Sequence, residues 1–234
     1  MHGNGSLTVV RSSLAEQLST LRGVPADQLP GPLLEVTVRR VTLSGGDLFL
    51  VHPTDWEALR EEEAAAGRPT PFWARPWPSG LALAADVAER PPAAGARVLV
   101  LGCGLAAPSI VAARTGANVL ASDGASDAVV FAAHSLALNE TEAEVAHADF
   151  GEHGDALVER GPFDLVLGAD VLYTPANAQT LVRLLPKLLA PWGEARIADP
   201  GRANARVYLA GARAGFAVQK REDGDVTLYR LVPR

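Results

Sequence analysis

From Leu81 to the C-terminus, two hydrophobic patterns alternate along the chain. Short apolar runs at 96–102, 117–123, 144–150, 163–173 and 194–201 end in glycine, aspartate or an aromatic residue and predict strands. Longer alanine- and leucine-rich segments predict helices at 81–90, 107–116, 126–140, 177–193 and 203–216. The last stretch reads as two strands, 216–222 and 225–232, turning at Asp223-Gly224. Strand–helix alternation of this kind predicts an α/β fold, a Rossmann-like doubly wound sheet of seven mostly parallel strands with helices on both faces. The closing hairpin adds one antiparallel strand at the C-terminus.

Residues 1–80 follow a different pattern. Leu14–Leu21 reads as a short helix stopped by Pro25, Pro30 and Pro32. Two strand-like runs within 33–53 flank Ser44-Gly45-Gly46-Asp47, a hairpin signal. The segment 54–67 reads as a helix capped by Thr54 or Asp55. The stretch "RPTPFWARPWPSG", 68–80, is broken by proline and is expected to form no regular element. The division predicted is therefore an N-terminal extension, 1–80, packed on a main domain, 81–234.

Composition narrows the function. The 234 residues carry a net charge of −6, and no basic stripe suggests a nucleic-acid surface. The two lysines, Lys187 and Lys220, stand against nineteen arginines, a bias expected of a GC-rich genome. The single cysteine, Cys103, excludes an intramolecular disulfide and fits a reducing compartment. The N-terminal stretch does not read as a signal peptide, and no apolar run reaches the ~20 residues of a membrane span. A cytoplasmic location is expected.

The candidate chemistry begins at "VLVLGCGLAAPSI", 98–110. Gly102 and Gly104 end the central strand, where ligands bind in open α/β sheets. Glycine there allows a sharp bend and a close ligand approach. Asp123 ends the next strand, 21 positions after Gly102, the spacing of a carboxylate that takes nucleoside ribose hydroxyls. The alternative is a packing turn beside a solvated aspartate. Pro108 removes one of the amide donors a pyrophosphate would need, and position 107 is alanine where a dinucleotide site has its third glycine. A cofactor without phosphate suits this turn better.

Four stretches, "PFWARPWPSG", "VLVLGCGLAAPSIVAARTGANVLASD", "HADFG" and "FDLVLGADVLYTP", together resemble class I S-adenosylmethionine (AdoMet)-dependent methyltransferases. Asp170-Val171-Leu172-Tyr173 is similar to the D-x-x-Y signature of the protein-lysine methyltransferase branch, and the N-terminal hairpin resembles that of bacterial members. The resemblance spans 71–202. It implies AdoMet as cofactor, bordered by Trp77, the Gly102-Cys103-Gly104 turn, Asp123, Asp149, Phe150 and Ala169. It implies Asp170 and Tyr173 as the catalytic pair, orienting a lysine amine of a protein substrate. Two positions depart from the family: Val100 stands where an acidic residue is usual, and Ala106 replaces the third glycine of the turn. A carboxylate restored at 100 is expected to tighten cofactor binding.

Other residues carry less. Trp73 reads as a core or pocket aromatic and His134 as a helix residue. His147 and His153 flank a loop without further ligands at metal spacing, so no metal site is expected. Arg202, in Asp199-Pro200-Gly201-Arg202, is placed toward the substrate. Three functions remain open on sequence: a protein-lysine methyltransferase, a small-molecule methyltransferase, and a non-catalytic AdoMet-binding protein with a degenerate turn.

Overall fold

The computed structural model describes residues 4–234. Residues 1–3 of the stretch read for a leader lie outside the described residues. The main sheet contains β3 (Arg97–Leu101), β4 (Asn118–Asp123), β5 (Glu144–His147), β6 (Phe163–Ala169), β7 (Leu189–Asp199), β8 (Phe216–Asp223) and β9 (Val226–Pro233). Their order is β5-β4-β3-β6-β7-β9-β8. β5, β4, β3, β6 and β7 pair in parallel, whereas β9 is antiparallel to both β7 and β8. The chain leaves β3 toward β4 and β5, then returns to lay β6 on the other side of β3. That reversal places the switch point between β3 and β6, with its crevice at their carboxyl ends.

The parallel strands divide their side chains between two cores. Val98, Val100, Ala121 and Leu167 face one apolar cluster; Leu99, Leu101, Val166 and Ile197 face the other. Period-two alternation of side chains produces this split, and burial of both faces explains why the strands read as continuous apolar runs. The first cluster is covered by α4 (Pro78–Glu89), α5 (Ala107–Ala113) and α6 (Ser126–Leu138). The second is covered by α7 (Gly154–Glu159), α8 (Pro175–Leu188) and α9 (Ala203–Ala212). Ala178, Leu181, Leu185 and Leu188 form the buried stripe of α8, and Thr174 caps that helix by accepting the Asn177 N–H at 3.0 Å.

The first eighty residues contribute α1 (Asn4–Arg22), α2 (Gly31–Leu34), α3 (Trp56–Ala65) and the hairpin β1 (Val36–Leu43) and β2 (Gly46–Pro53). Leu14, Leu18, Leu48 and Leu50 are fully buried in the first core cluster. The free edge of β2 is met by α6: Ser135 Oγ accepts the Val51 N–H at 3.1 Å, and Asn139 Oδ1 accepts the Phe49 N–H at 3.0 Å. These bonds satisfy edge amides that would otherwise be open to another strand. Arg22 of α1 bridges Glu63 of α3, at 3.1 Å, to Asp127 of α6.

Several boundaries differ from the sequence expectations. The first helix begins at Asn4 rather than Leu14. Asp55, not Thr54, caps α3, accepting the Ala58 N–H at 3.0 Å. Within the proline-broken stretch, Phe72–Ala74 forms one 3₁₀ turn, and Pro78–Gly80 is already the first turn of α4. Proline is compatible with that position because the first helical N–H has no intrahelical partner. The helix expected through Gly193 ends at Leu188, because Leu189 pairs with Phe163 and starts β7. Among the described residues, no helix is long and apolar enough to cross a membrane.

Candidate active site

The crevice is built on the turn after β3. Gly102, Gly104 and Ala106 all adopt left-handed backbone conformations, with φ of 60°, 51° and 68°. Glycine carries this at no steric cost; an alanine pays roughly 1–2 kcal/mol for it. All three positions of the turn therefore share the left-handed conformation. Hydrogen bonds from Cys103 N to Ser122 O, 2.9 Å, and from Ala106 N to Cys103 O, 2.8 Å, tie it to β4 and to itself. Gly102 lies exposed at the crevice, while the main chain of Trp73 lies over Gly104.

Asp123, at the end of β4, is 9% exposed. Its Oδ2 accepts the Gly104 N–H at 2.8 Å and its Oδ1 the Ala125 N–H at 2.9 Å. Burial pushes its carboxyl above the usual range; the two amide bonds pull the other way, and nearby Asp149 adds to the rise. A carboxylate has about four lone-pair sites. Two amides leave acceptor capacity for a pair of hydroxyls, so the residue fits a ribose. A Cβ at Gly124 would meet Asp149 Oδ2 at 2.7 Å, so a larger residue there would push the Asp149 side chain aside. Asp149 Oδ1 closes its own loop, accepting N–H groups from Gly151 at 2.7 Å and Glu152 at 3.2 Å. Phe150 is buried in the second core cluster.

The aromatic segment before α4 reaches the turn through the Trp73 main chain. Trp77 is the N-cap residue of α4, and its indole N–H donates to Phe72 O. The Trp56 and Trp77 rings meet edge to face at 5.8 Å, and the Arg75 guanidinium lies 4.4 Å from the Trp77 ring centroid. Trp73 packs on Phe131 with centroids 4.8 Å apart.

The loop after β6 also borders the glycine turn. Asp170 has φ of 60° and donates its N–H to Ala198 O at 3.0 Å, which stitches the ends of β6 and β7 together. Val171 and Leu172 turn into the core, and Tyr173 stands 53% exposed. A Cβ on Gly102 would sit 3.4 Å from Val171 Cγ1, so this loop borders the glycine turn. Ala169, half-buried, precedes Asp170 at the strand end. The Asp170 carboxylate is not free. Its Oδ1 accepts from Arg202 Nη1, which also donates to Asp199 Oδ2 at 3.2 Å.

Some candidates stand apart from reactive geometry. Burial, with the Asp123 charge as a second cause, pushes the Cys103 thiol well above its ordinary pKa, which disfavours the nucleophilic thiolate. His147 Nε2 contacts Gly124 O at 3.0 Å, and His153 Nδ1 accepts the Asp149 N–H at 3.2 Å. His134 Nδ1 bonds Val130 O within α6. Among the described residues, no cluster of three or more His, Cys, Asp or Glu could hold a metal. The Asp170–Arg202 contact was missing from the sequence reading. Asp170 directly follows β6 and Arg202 lies three residues beyond β7, its sheet neighbour.

A family model described as lysine methyltransferase matches residues 77–205. The electron transfer flavoprotein β subunit lysine methyltransferase of Xenopus laevis is 33% identical over 135 residues, 57% of this chain and 54% of that protein. The Danio rerio protein of the same name is 35% identical over 140 residues, covering 58% and 52%. The chain spans about half the length of these curated relatives. Among solved structures, a T. thermophilus 16S rRNA methyltransferase in complex with AdoMet and guanosine superposes with TM-score 0.64 at 21% identity, covering 90% of this chain and 53% of that one. A TehB-like SAM-dependent methyltransferase of Corynebacterium glutamicum gives TM-score 0.55 at 18% identity, covering 76% and 96%. Both structures share the fold.

Proposed function

The chain belongs to the lysine methyltransferase family, and we propose that it transfers a methyl group from AdoMet to a lysine amine of a protein. The observation that carries this reading is the pairing of an open glycine turn with the Asp170–Tyr173 rim across one crevice. When bound, AdoMet supplies an electrophilic methyl on a sulfonium. Asp123 is suited to hold its ribose, the Gly102-Cys103-Gly104 turn and Ala169 to border its methionine end, and Trp77 to wall it. Asp149 and Phe150 are assigned to the adenine side.

Methyl transfer needs an aligned, neutral amine and the exclusion of water. A lysine ammonium has a reference pKa near ~10.4 and must first release a proton to solvent. The Asp170 carboxylate accepts hydrogen bonds from the arriving amine and fixes its direction. Tyr173 presents an aromatic face to the positive charge that develops on the amine as it takes the methyl, and a hydroxyl that can bond it. The curated relatives named for electron transfer flavoprotein β subunit make that subunit the first acceptor to try. A cytoplasmic protein of bacterial origin fits the sequence reading.

A second reading, cofactor binding without transfer, rests on Val100. It is fully buried in the apolar cluster and offers no polar anchor to the methionine end. Ala106 adopts the left-handed conformation that a glycine would take at no cost, so the alanine does not by itself abolish the turn. Calorimetry with AdoMet, followed by labelled methyl transfer to purified electron transfer flavoprotein β subunit, separates the two. Binding with transfer supports the enzyme; binding with no transfer to this subunit, to lysate proteins or to small molecules supports the second reading.

A further inference from the structure

We propose that Arg202 is a positioning residue for the transfer: anchored on buried Asp199, it holds the Asp170 carboxylate at the rim to receive the amine. The inference deepens the lysine-transfer reading and rests on it.

The anchor is unusually complete. Asp199 ends β7 and is fully buried. Its Oδ1 accepts the Arg202 main-chain N–H at 2.7 Å, and its Oδ2 accepts Arg202 Nη1 at 3.2 Å. One carboxylate therefore fixes both the backbone and the side chain of the arginine. The same Nη1 reaches Asp170. Arg202 keeps its charge firmly: burial works against it, and the two carboxylates outweigh burial and raise its pKa.

A second contact from the same segment points the same way. Asn204, in the first turn of α9, donates Nδ2–H to the Tyr173 carbonyl at 3.2 Å. The start of α9 thus grips the rim loop twice, at Asp170 and at Tyr173. Asp170 adopts a left-handed backbone, which an aspartate takes more readily than most residues other than glycine, and these contacts fix the loop in that conformation. The charge balance also suits an amine. One guanidinium between two carboxylates leaves a net negative charge for the lysine ammonium to approach. The charged or titratable side chains at this rim are Asp170 and Tyr173 after β6, Asp199 at the end of β7 and Arg202 before α9.

The test compares Arg202→Gln and Arg202→Lys in the wild type and in Asp170→Asn, with melting curves and AdoMet calorimetry on every variant. In the wild-type background, Arg202→Gln should lower kcat roughly tenfold, the middle of the usual coupling range for contacting residues. AdoMet affinity should be unchanged, and Arg202→Lys should recover part of the loss. In Asp170→Asn, adding Arg202→Gln should cost less than about twofold, because the group it positions is already altered. A crystal structure of Arg202→Gln should show the fold intact and the Asp170 carboxylate displaced, a readout independent of activity. An equal loss in both backgrounds, or an Asp170 carboxylate that stays in place without Arg202, would overturn the proposal. Absence of transfer by the wild type would remove the lysine-transfer reading instead, and the crystal structure would still decide the positioning role.

Discussion

Two carboxylates face the same crevice and are held in opposite ways. Asp123 is gripped by main-chain amides of Gly104 and Ala125. Asp170 is gripped by a guanidinium from the segment after β7. Backbone donors are fixed by the turn itself and present the same geometry to every ligand that arrives. A single side-chain contact through one oxygen leaves the rest of the Asp170 carboxylate open to an incoming amine. The first arrangement suits a constant partner such as a cofactor ribose, and the second suits a lysine that must come and go. Exposure follows the same division: the Asp123 residue is 9% exposed, and the Asp170 side chain 22%.

The sharpest way to break this comparison is to add a third carboxylate that nothing holds. Val100→Asp places one in the apolar cluster between β3 and its covering helices. An uncompensated buried charge costs about 3–5 kcal/mol. The variant should melt well below the wild type, and saturating AdoMet should restore part of the loss if its amino group reaches the new carboxylate. The sequence alone suggested tighter binding at this position; the burial of Val100 puts the stability cost first. A variant as stable as the wild type without AdoMet would mean that the site around position 100 is more polar than described.

Removing the rim carboxylate comes next. Asp170→Ala should lower turnover on the order of 10²-fold or more, the scale of a positioned acid–base group, with little change in AdoMet affinity. Steady-state kinetics and calorimetry on one preparation check both halves. Loss of affinity with unchanged turnover would reverse the roles assigned to the two carboxylates.

Removing the fixed carboxylate should show the opposite split. Asp123→Ala should weaken AdoMet binding at least tenfold, since charge-assisted hydrogen bonds are worth roughly 1.5–3 kcal/mol. The raised carboxyl pKa gives a second, pH-dependent signature. For folding, a raised carboxyl contributes stability below its ordinary value, and that contribution is lost as pH rises through the raised one. For the ribose the sign reverses, because the ionised form is the stronger acceptor. AdoMet affinity should therefore fall with decreasing pH at a higher pH than an ordinary aspartate would give. Asp123→Asn should remove that dependence in calorimetric titrations.

The turn backbone offers the smallest effect. Ala106→Gly relieves roughly 1–2 kcal/mol of left-handed strain. It also gives back about 0.5–1 kcal/mol in backbone entropy and about 0.8 kcal/mol in methyl burial. Thermal melting should move by no more than a few degrees, and AdoMet affinity should hold. A tenfold loss of affinity would show that the alanine methyl is part of the pocket.

The legible parts of the sequence were those governed by local pattern. Doubly buried strands, the glycine turn and the aspartate at the next strand end all leave marks within about 25 residues of one another, and the fold followed from them. The short helix Gly154–Glu159 left no such mark, because its one buried side chain, Leu157, sets no period. The junction at Leu188-Leu189 was hidden because an apolar run reads equally as helix end or strand start; the pairing of Leu189 with Phe163 decides it. The hold of Arg202 on Asp170 links positions far apart in the chain. Sheet order brings them together, and no local period encodes that contact.

The central claim is transfer of a methyl group to a protein lysine. Its most direct test is incubation with methyl-labelled AdoMet and a cell lysate, followed by acid hydrolysis of the protein fraction and amino-acid analysis. The account predicts label in methylated lysine, abolished or strongly reduced in Asp170→Ala. Label confined to small molecules or appearing in arginine, or no label despite AdoMet binding, would contradict it.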